Sequence, residues 1–170
     1  DGGSRGFTVF NLDGTVHYDS GNEFEHLAVR FGHYPERRSN AKGTEPEAIL
    51  FARYGSSELL FVGSERGSFV AVYVLNRSGE PQFSQLLPGP LAPEGLLAVA
   101  NRNLLVASGE SDTPPFGVRS TVQIYRLDDD GPFSPSLYSA DESIGAAPTP
   151  LPSGALSGLT DVPGQPERLQ

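Results

Sequence analysis

Four glutamates stand at matching places in this chain. Glu47 follows a proline at the start of an apolar run, and Glu65 follows the next apolar run. Glu94 and Glu110 repeat the arrangement one unit later. If each pair of runs forms two antiparallel strands, the start of the first and the end of the second meet at one rim, and all four carboxylates gather there. Like charges held this close raise one another's pKa or recruit a cation, and an all-oxygen donor set suits a hard ion such as Ca²⁺. Arg66 adjoins Glu65, with Lys42 and Arg38 upstream. A cation beside such basic groups is how a site holds and polarises a phosphoester. The same glutamates, bonded to backbone N–H groups and paired with Arg66 or Lys42, would equally serve as structural ties between repeats. The residue types leave both readings open.

Other chemistry-bearing residues argue less. Gly63-Ser64-Glu65-Arg66-Gly67 has the outline of a nucleophile elbow, but its central residue is glutamate and no strand-to-helix turn is expected after it. Asp128-Asp129-Asp130-Gly131 lacks the alternating ligand spacing of a calcium loop and reads as an exposed hairpin turn. His17, His26 and His33 share no ligand spacing. Asn76-Arg77-Ser78 is a glycosylation sequon in a turn. The absence of cysteine excludes disulfides, thiolate metal sites and a cysteine nucleophile.

The elements that must position the glutamates show themselves as an internal repeat, 45–87 against 92–138. Pro46-Glu47-Ala48-Ile49-Leu50 answers Pro93-Glu94-Gly95-Leu96-Leu97, and 59–65 answers 104–110. A third run, Val72-Tyr73-Val74-Leu75, answers Gln123-Ile124-Tyr125-Arg126-Leu127, with a glycine four places past each leucine, Gly79 and Gly131. A fourth, weaker strand is expected after each. Short β-rich runs between Gly, Pro, Asn and Asp turns predict strands, and four per unit at roughly 45 to 50 residues predict an all-β fold, a β-propeller fragment of about three four-stranded blades of YVTN or WD40 type. Val9, Val72, Val74 and Ile124, with the runs 59–62 and 104–107, are expected to be buried between stacked blades, because strands apolar on both faces need cover on both. Tyr73 and Tyr125 should be equivalent.

The remaining segments fit this division. Residues 1–20 read as a partial blade whose third strand runs through Phe7 to Leu12 into an Asp13-Gly14 hairpin. Residues 21–43 read as an inter-blade insertion, with Phe24, Leu27, Ala28 and Phe31 on one helical face as a packing helix. Blades then occupy 44–91 and 92–140, the second with a lengthened hairpin at 111–117. Residues 141–153 form a linker, and 154–170 the opening of a further unit. The expectation is of a piece of a larger, incomplete ring, whose first partners are further blades, since a closed ring needs about four to eight.

Composition restricts the partners. A net charge of -9, a single lysine (Lys42) and no basic stripe among aromatics oppose nucleic acid and anionic membranes. No apolar run is long enough for a membrane span.

Tyr18-Asp19-Ser20-Gly21-Asn22-Glu23-Phe24-Glu25, then Arg38-Ser39, Lys42-Gly43, Glu45-Pro46-Glu47 and Pro93-Glu94-Gly95-Leu96 resemble the bacterial choice-of-anchor I propellers. That family takes in alkaline-phosphatase-like secreted proteins and the mesenchyme-specific cell-surface glycoproteins of animals. The resemblance runs from about Gly6 to Leu127, with Ala48 where glycine is usual after Pro-Glu. The tail from Pro152 to Leu169 is similar to the opening of an esterase-like phytase propeller. The resemblance implies an extracytoplasmic location and descent from metal-dependent phosphoric ester hydrolases. Under it, Glu47, Glu65, Glu94 and Glu110 would be calcium ligands, and Arg66, Lys42 and Arg38 phosphate-binding residues. The alternative is a non-catalytic extracellular binding or adhesion propeller using the same ring for structural calcium; a third is a spacer domain of a larger surface enzyme. Propellers host many functions, so the fold does not choose among them.

Overall fold

The computed structural model describes residues 5–117 and 119–128, and the backbone of 161–162 and 165–169. The chain divides into two compact units, Asp1–Leu137 and Tyr138–Gln170. In the second, β10 (Asp161–Val162) pairs antiparallel with β11 (Gln165–Leu169). The expected linker, the first residues of the further unit, Gly131 and the fourth strand of the later repeat lie outside the described residues.

Among the described residues the first unit is all-β apart from one short α-helix and three single 3-10 turns. β1 (Thr8–Phe10) and β2 (Val16–Asp19) form a hairpin. After α1 (Glu23–Arg30) come β3 (Pro46–Tyr54), β4 (Ser57–Ser64), β5 (Phe69–Leu75) and β6 (Pro81–Pro88), a four-stranded antiparallel meander. β7 (Pro93–Val99), β8 (Leu104–Gly109) and β9 (Val122–Arg126) form a second, three-stranded meander.

The two sheets share their register. Tyr73 lies opposite Leu60 and Tyr125 opposite Leu105, so the tyrosines are equivalent. In both sheets the first pair slips by one residue immediately after the proline, between Pro46 and Ala48 and between Pro93 and Gly95. Glu47 and Glu94 are therefore bulge residues, extra to the ladder.

The first hairpin joins the repeat through its turn. Asn11 N–H donates to the Thr15 carbonyl and Gly14 N–H to the Asn11 carbonyl; Asn76 N–H donates to the Glu80 carbonyl and Gly79 N–H to the Asn76 carbonyl. Gly14 and Gly79 have φ of +86° and +84°, which a side chain would disfavour.

α1 ends where a left-handed Gly32, φ +74°, follows its last turn. Glu23 and Glu25 in its first turn and Arg30 in its last suit the helix dipole. Its buried residues, Phe24, Leu27 and Ala28, pack on one face of the first sheet against Leu60, Val62 and Tyr73. Phe7 of the hairpin meets Tyr73 edge-on, with ring centres 5.2 Å apart. Fully burying a ring of this kind contributes about 1.5–3 kcal/mol, so Tyr73→Ala would cost several times the net worth of a surface contact.

The opposite face of the first sheet carries Ala52, Phe61, Val70 and Val72 and is covered by Leu105 and Ala107 of the second. Tyr54 Oη donates to the Leu104 carbonyl at 2.8 Å, and Tyr125 Oη to the Pro88 carbonyl at 2.7 Å, tying the sheets at two points.

Five burial expectations are corrected. Val74 and Ile124 are exposed, and Val9, Leu104 and Val106 are half-buried. Val74 lies next to the end of β5, and Ile124 faces away from the first sheet, where no described element covers it.

Candidate functional site

The acidic rim is assembled by the segment between α1 and β3. Arg5 donates through Nη1 to Glu25 Oε2 at 2.9 Å and through Nη2 to the Ser39 and Ala41 carbonyls. Glu25 Oε1 accepts from the Thr44 N–H at 2.8 Å and the Thr44 hydroxyl at 2.7 Å. Gly43 passes so close that a Cβ there would lie 2.3 Å from Glu25 Oε1. The chain thus reaches residue 45 in a fixed position.

Glu45 has φ +48°, and its carbonyl accepts the Glu65 N–H at 2.9 Å. The Thr44 carbonyl accepts the Ser64 hydroxyl at 2.6 Å and the Arg66 N–H at 3.2 Å. These bonds lock the end of β4 beside the start of β3. One repeat later, Ala92 has φ +52° and its carbonyl accepts the Glu110 N–H at 2.9 Å.

The carboxylates gather as two trios sharing one member. Ligand oxygens of Glu45, Glu47 and Glu65 lie within 4.8 Å of one another, and so do those of Glu65, Glu94 and Glu110. All four glutamates singled out from the sequence therefore sit in one cluster, with Glu65 at its centre where the two sheets meet. Glu45 is the member that sequence reasoning missed. Its counterpart in the second repeat is Ala92, so comparing repeats for shared acids passes over it. The Glu-Pro-Glu run was the available signal.

The basic residues are placed unequally. Arg38 donates through Nε to Glu45 Oε1 at 3.0 Å and pairs with it through Nη2. Arg66 Nη2 pairs with Glu65 Oε1 at 2.8 Å, and its Nε lies 3.6 Å from Glu45 Oε1. Lys42 is exposed in the turn before Gly43.

The buried carboxyls divide their proton unequally. Burial raises the Glu65 pKa to about 7, with Glu47 and Glu45 adding to the rise and Arg66 opposing it. Burial also works against ionising Glu45, but the Arg38 and Arg66 guanidinium groups outweigh it and hold this carboxyl below the usual range. The hydrogen bond between the two carboxyls lowers Glu45 and raises Glu65, so the shared proton resides preferentially on Glu65. Glu94 is raised chiefly by the charge of Glu110.

The donor set fits a hard cation. Oxygens within 4.8 Å of one another could reach a single Ca²⁺, whose oxygen ligands stand at about 2.3–2.6 Å.

Residues 2–78 match the family model of the choice-of-anchor I domain. No curated protein and no solved structure matches the chain.

Proposed function

We propose that this chain is a non-catalytic, extracellular surface domain of the choice-of-anchor I kind, a stacked-repeat propeller segment, in which the acidic cluster binds a structural calcium ion at the seam between repeats. The observation that carries this reading is the position of Glu65. It belongs to both carboxylate trios, one from each side of the junction between the sheets, so a cation there would fasten one repeat to the next.

The phosphoesterase reading draws less support. Of the three basic residues that would have to hold the phosphate, Arg38 and Arg66 are already engaged by Glu45 and Glu65, which leaves the exposed Lys42. A phosphoester would approach five carboxylates with two committed guanidinium groups among them, a field that repels it. The family match to residues 2–78 bears on the surface-domain reading. None of the described helices is long and apolar enough to cross a membrane.

The test is calorimetry with calcium titrated against wild type and a Glu47→Gln, Glu94→Gln variant. A ligand binding only the folded state stabilises it by RT ln(1 + [L]/Kd), about 2.7 kcal/mol at a hundredfold excess. Wild-type melting should rise with calcium, less with magnesium, which demands a tighter shell, and not at all in the variant. Unchanged wild-type melting overturns the cation site. Calcium-dependent hydrolysis of a generic phosphomonoester, lost on Arg66→Ala, overturns the non-catalytic reading.

A further inference from the structure

Among the described residues two buried side-chain atoms have no hydrogen-bond partner, Glu23 Oε1 and Tyr73 Oη. They are neighbours, since the Glu23 carboxylate acts directly on the Tyr73 phenol. A buried polar group left unpaired forfeits its hydration, so each of the two calls for a partner. Glu23 opens α1, and Tyr73 lies in β5 with none of its surface exposed. The other carboxylate oxygen of Glu23, Oε2, accepts the Tyr18 hydroxyl at 3.2 Å, which holds the group in place from the β2 side.

The repeat shows what answers this tyrosine elsewhere. Tyr125, the counterpart of Tyr73, donates its hydroxyl straight to the Pro88 carbonyl at 2.7 Å. Pro88 stands nine residues past the turn glycine Gly79, and nine past the matching Gly14 stands Glu23. Where one seam offers a backbone carbonyl, the other offers a carboxylate carried on α1, and the tyrosine does not bond it directly. The chemistry of the two atoms defines what can join them. Burial, with the nearby Glu23 and Tyr18, holds the Tyr73 phenol far above the usual tyrosine range, so it keeps its proton and donates. A carboxylate offers acceptors alone. The joining group must therefore accept from Tyr73 and donate to Glu23, which water does and a metal ion does not. An ion would also want several more oxygens, and the rings beside the two tyrosines are those of Phe7 and Phe24.

We infer that a single internal water molecule is bound between the Tyr73 hydroxyl and Glu23 Oε1, completing a polar chain from Tyr18 through Glu23 to Tyr73 that ties β2, the first turn of α1 and β5 together. A water held this way by buried polar groups is a fixed part of the fold. The site is separate from the acidic cluster and does not depend on it. It seats the helix from which Glu25 reaches Thr44.

The probe is water itself, in the full chain. In wild type, water protons should show a direct NOE to the ring protons of Tyr73 that flank its hydroxyl, a measurement that needs no variant. Relaxation dispersion of the water oxygen nucleus then counts the long-lived internal waters. Tyr73→Phe, which removes only the hydroxyl, should lower that count by one while the amide shifts of β4 and β5 stay as in wild type. Tyr125→Phe, whose hydroxyl is bonded directly, should leave the count unchanged. Absence of the NOE in wild type overturns the inference, and so does an unchanged count in a folded Tyr73→Phe. An equal loss in Tyr125→Phe overturns it too, since an opened seam and not a bridge would then be releasing water. So does wild-type melting that rises in sodium or potassium chloride over matched choline chloride but not in Glu23→Gln, since the occupant is then a cation.

Discussion

Glu45 and Ala92 hold the same left-handed backbone, φ +48° and +52°, each one residue ahead of a proline and each accepting the N–H of the glutamate that ends the second strand of its repeat. A non-glycine residue there costs of order 1 kcal/mol, and the strain persists because the following strand pair fixes the position. Ala92→Gly removes that cost against the entropy of a freer unfolded chain. The expected outcome in urea denaturation is a change from zero to about 1 kcal/mol in the stabilising direction. A loss greater than 1 kcal/mol would mean that the Ala92 methyl group matters more than the backbone.

The Arg38–Glu45 pair should matter more than its partial exposure suggests. Removing the arginine leaves a buried carboxylate whose nearest remaining cation is Arg66 at 3.6 Å. Arg38→Ala is expected to cost about 2 kcal/mol at pH 7, and Arg38→Lys to recover only part, since an ammonium cannot reproduce the fork. Glu45 titrates below its unfolded value, so its contribution is complete above the usual carboxylate range and is lost as pH falls through the folded pKa. Urea titrations of wild type and variant should therefore converge in acid. A difference that persists there would be steric.

Glu65 has the opposite sign. Its folded pKa, about 7, lies above the ordinary 4.5, so the folded state holds the proton more tightly. Stability from this group is fully present below about pH 4.5 and declines as pH rises toward 7. Glu65→Gln mimics the protonated form and should raise stability at pH 8 by about 1–3 kcal/mol in the presence of a chelator, while flattening the pH dependence between 5 and 7. A variant less stable than wild type at pH 8 would show that the Arg66 pair outweighs burial.

Ala48 and Gly63 form a complementary pair. Ala48 faces Gly63 across β3 and β4, whereas Gly95 faces Ser108 across β7 and β8. A Cβ on Gly63 would lie 3.0 Å from the Ala48 Cβ, and one on Gly95 would lie 2.4 Å from the Ser108 hydroxyl. The space admits one side chain per pair, which accounts for alanine where the resembling family has glycine. Gly63→Ser alone should cost about 1–3 kcal/mol by overpacking. Adding Ala48→Gly should recover most of it, measured by thermal or urea unfolding. No recovery would show that the backbone at 63, not the opposing methyl group, excludes the side chain.

Much of this was legible in the chain itself. The matching runs 59–65 and 104–110 were enough to make Tyr73 and Tyr125 equivalent and to bring Glu47, Glu65, Glu94 and Glu110 together, because antiparallel pairing turns equal spacing into equal position. The helix through Phe24 and Leu27 could be read from its apolar face. Burial of Ile124 could not be judged correctly, since a strand's pattern reports which face is apolar and not whether anything covers it. Glu45 escaped because only one repeat has an acid there. The division of the proton between Glu45 and Glu65 depends on Arg38 reaching back across a turn, a three-dimensional fact that spacing along the chain does not carry.

The one-residue slip at Glu47 and Glu94 has a further consequence. A residue in register is answerable to its cross-strand partner, and changing it disturbs the packing of both. The bulge residue has no such partner. Its side chain can be exchanged for a neutral, basic or aromatic one with the ladder on either side left intact. Each repeat thereby offers one position at the rim where selection can rewrite surface chemistry without renegotiating the fold.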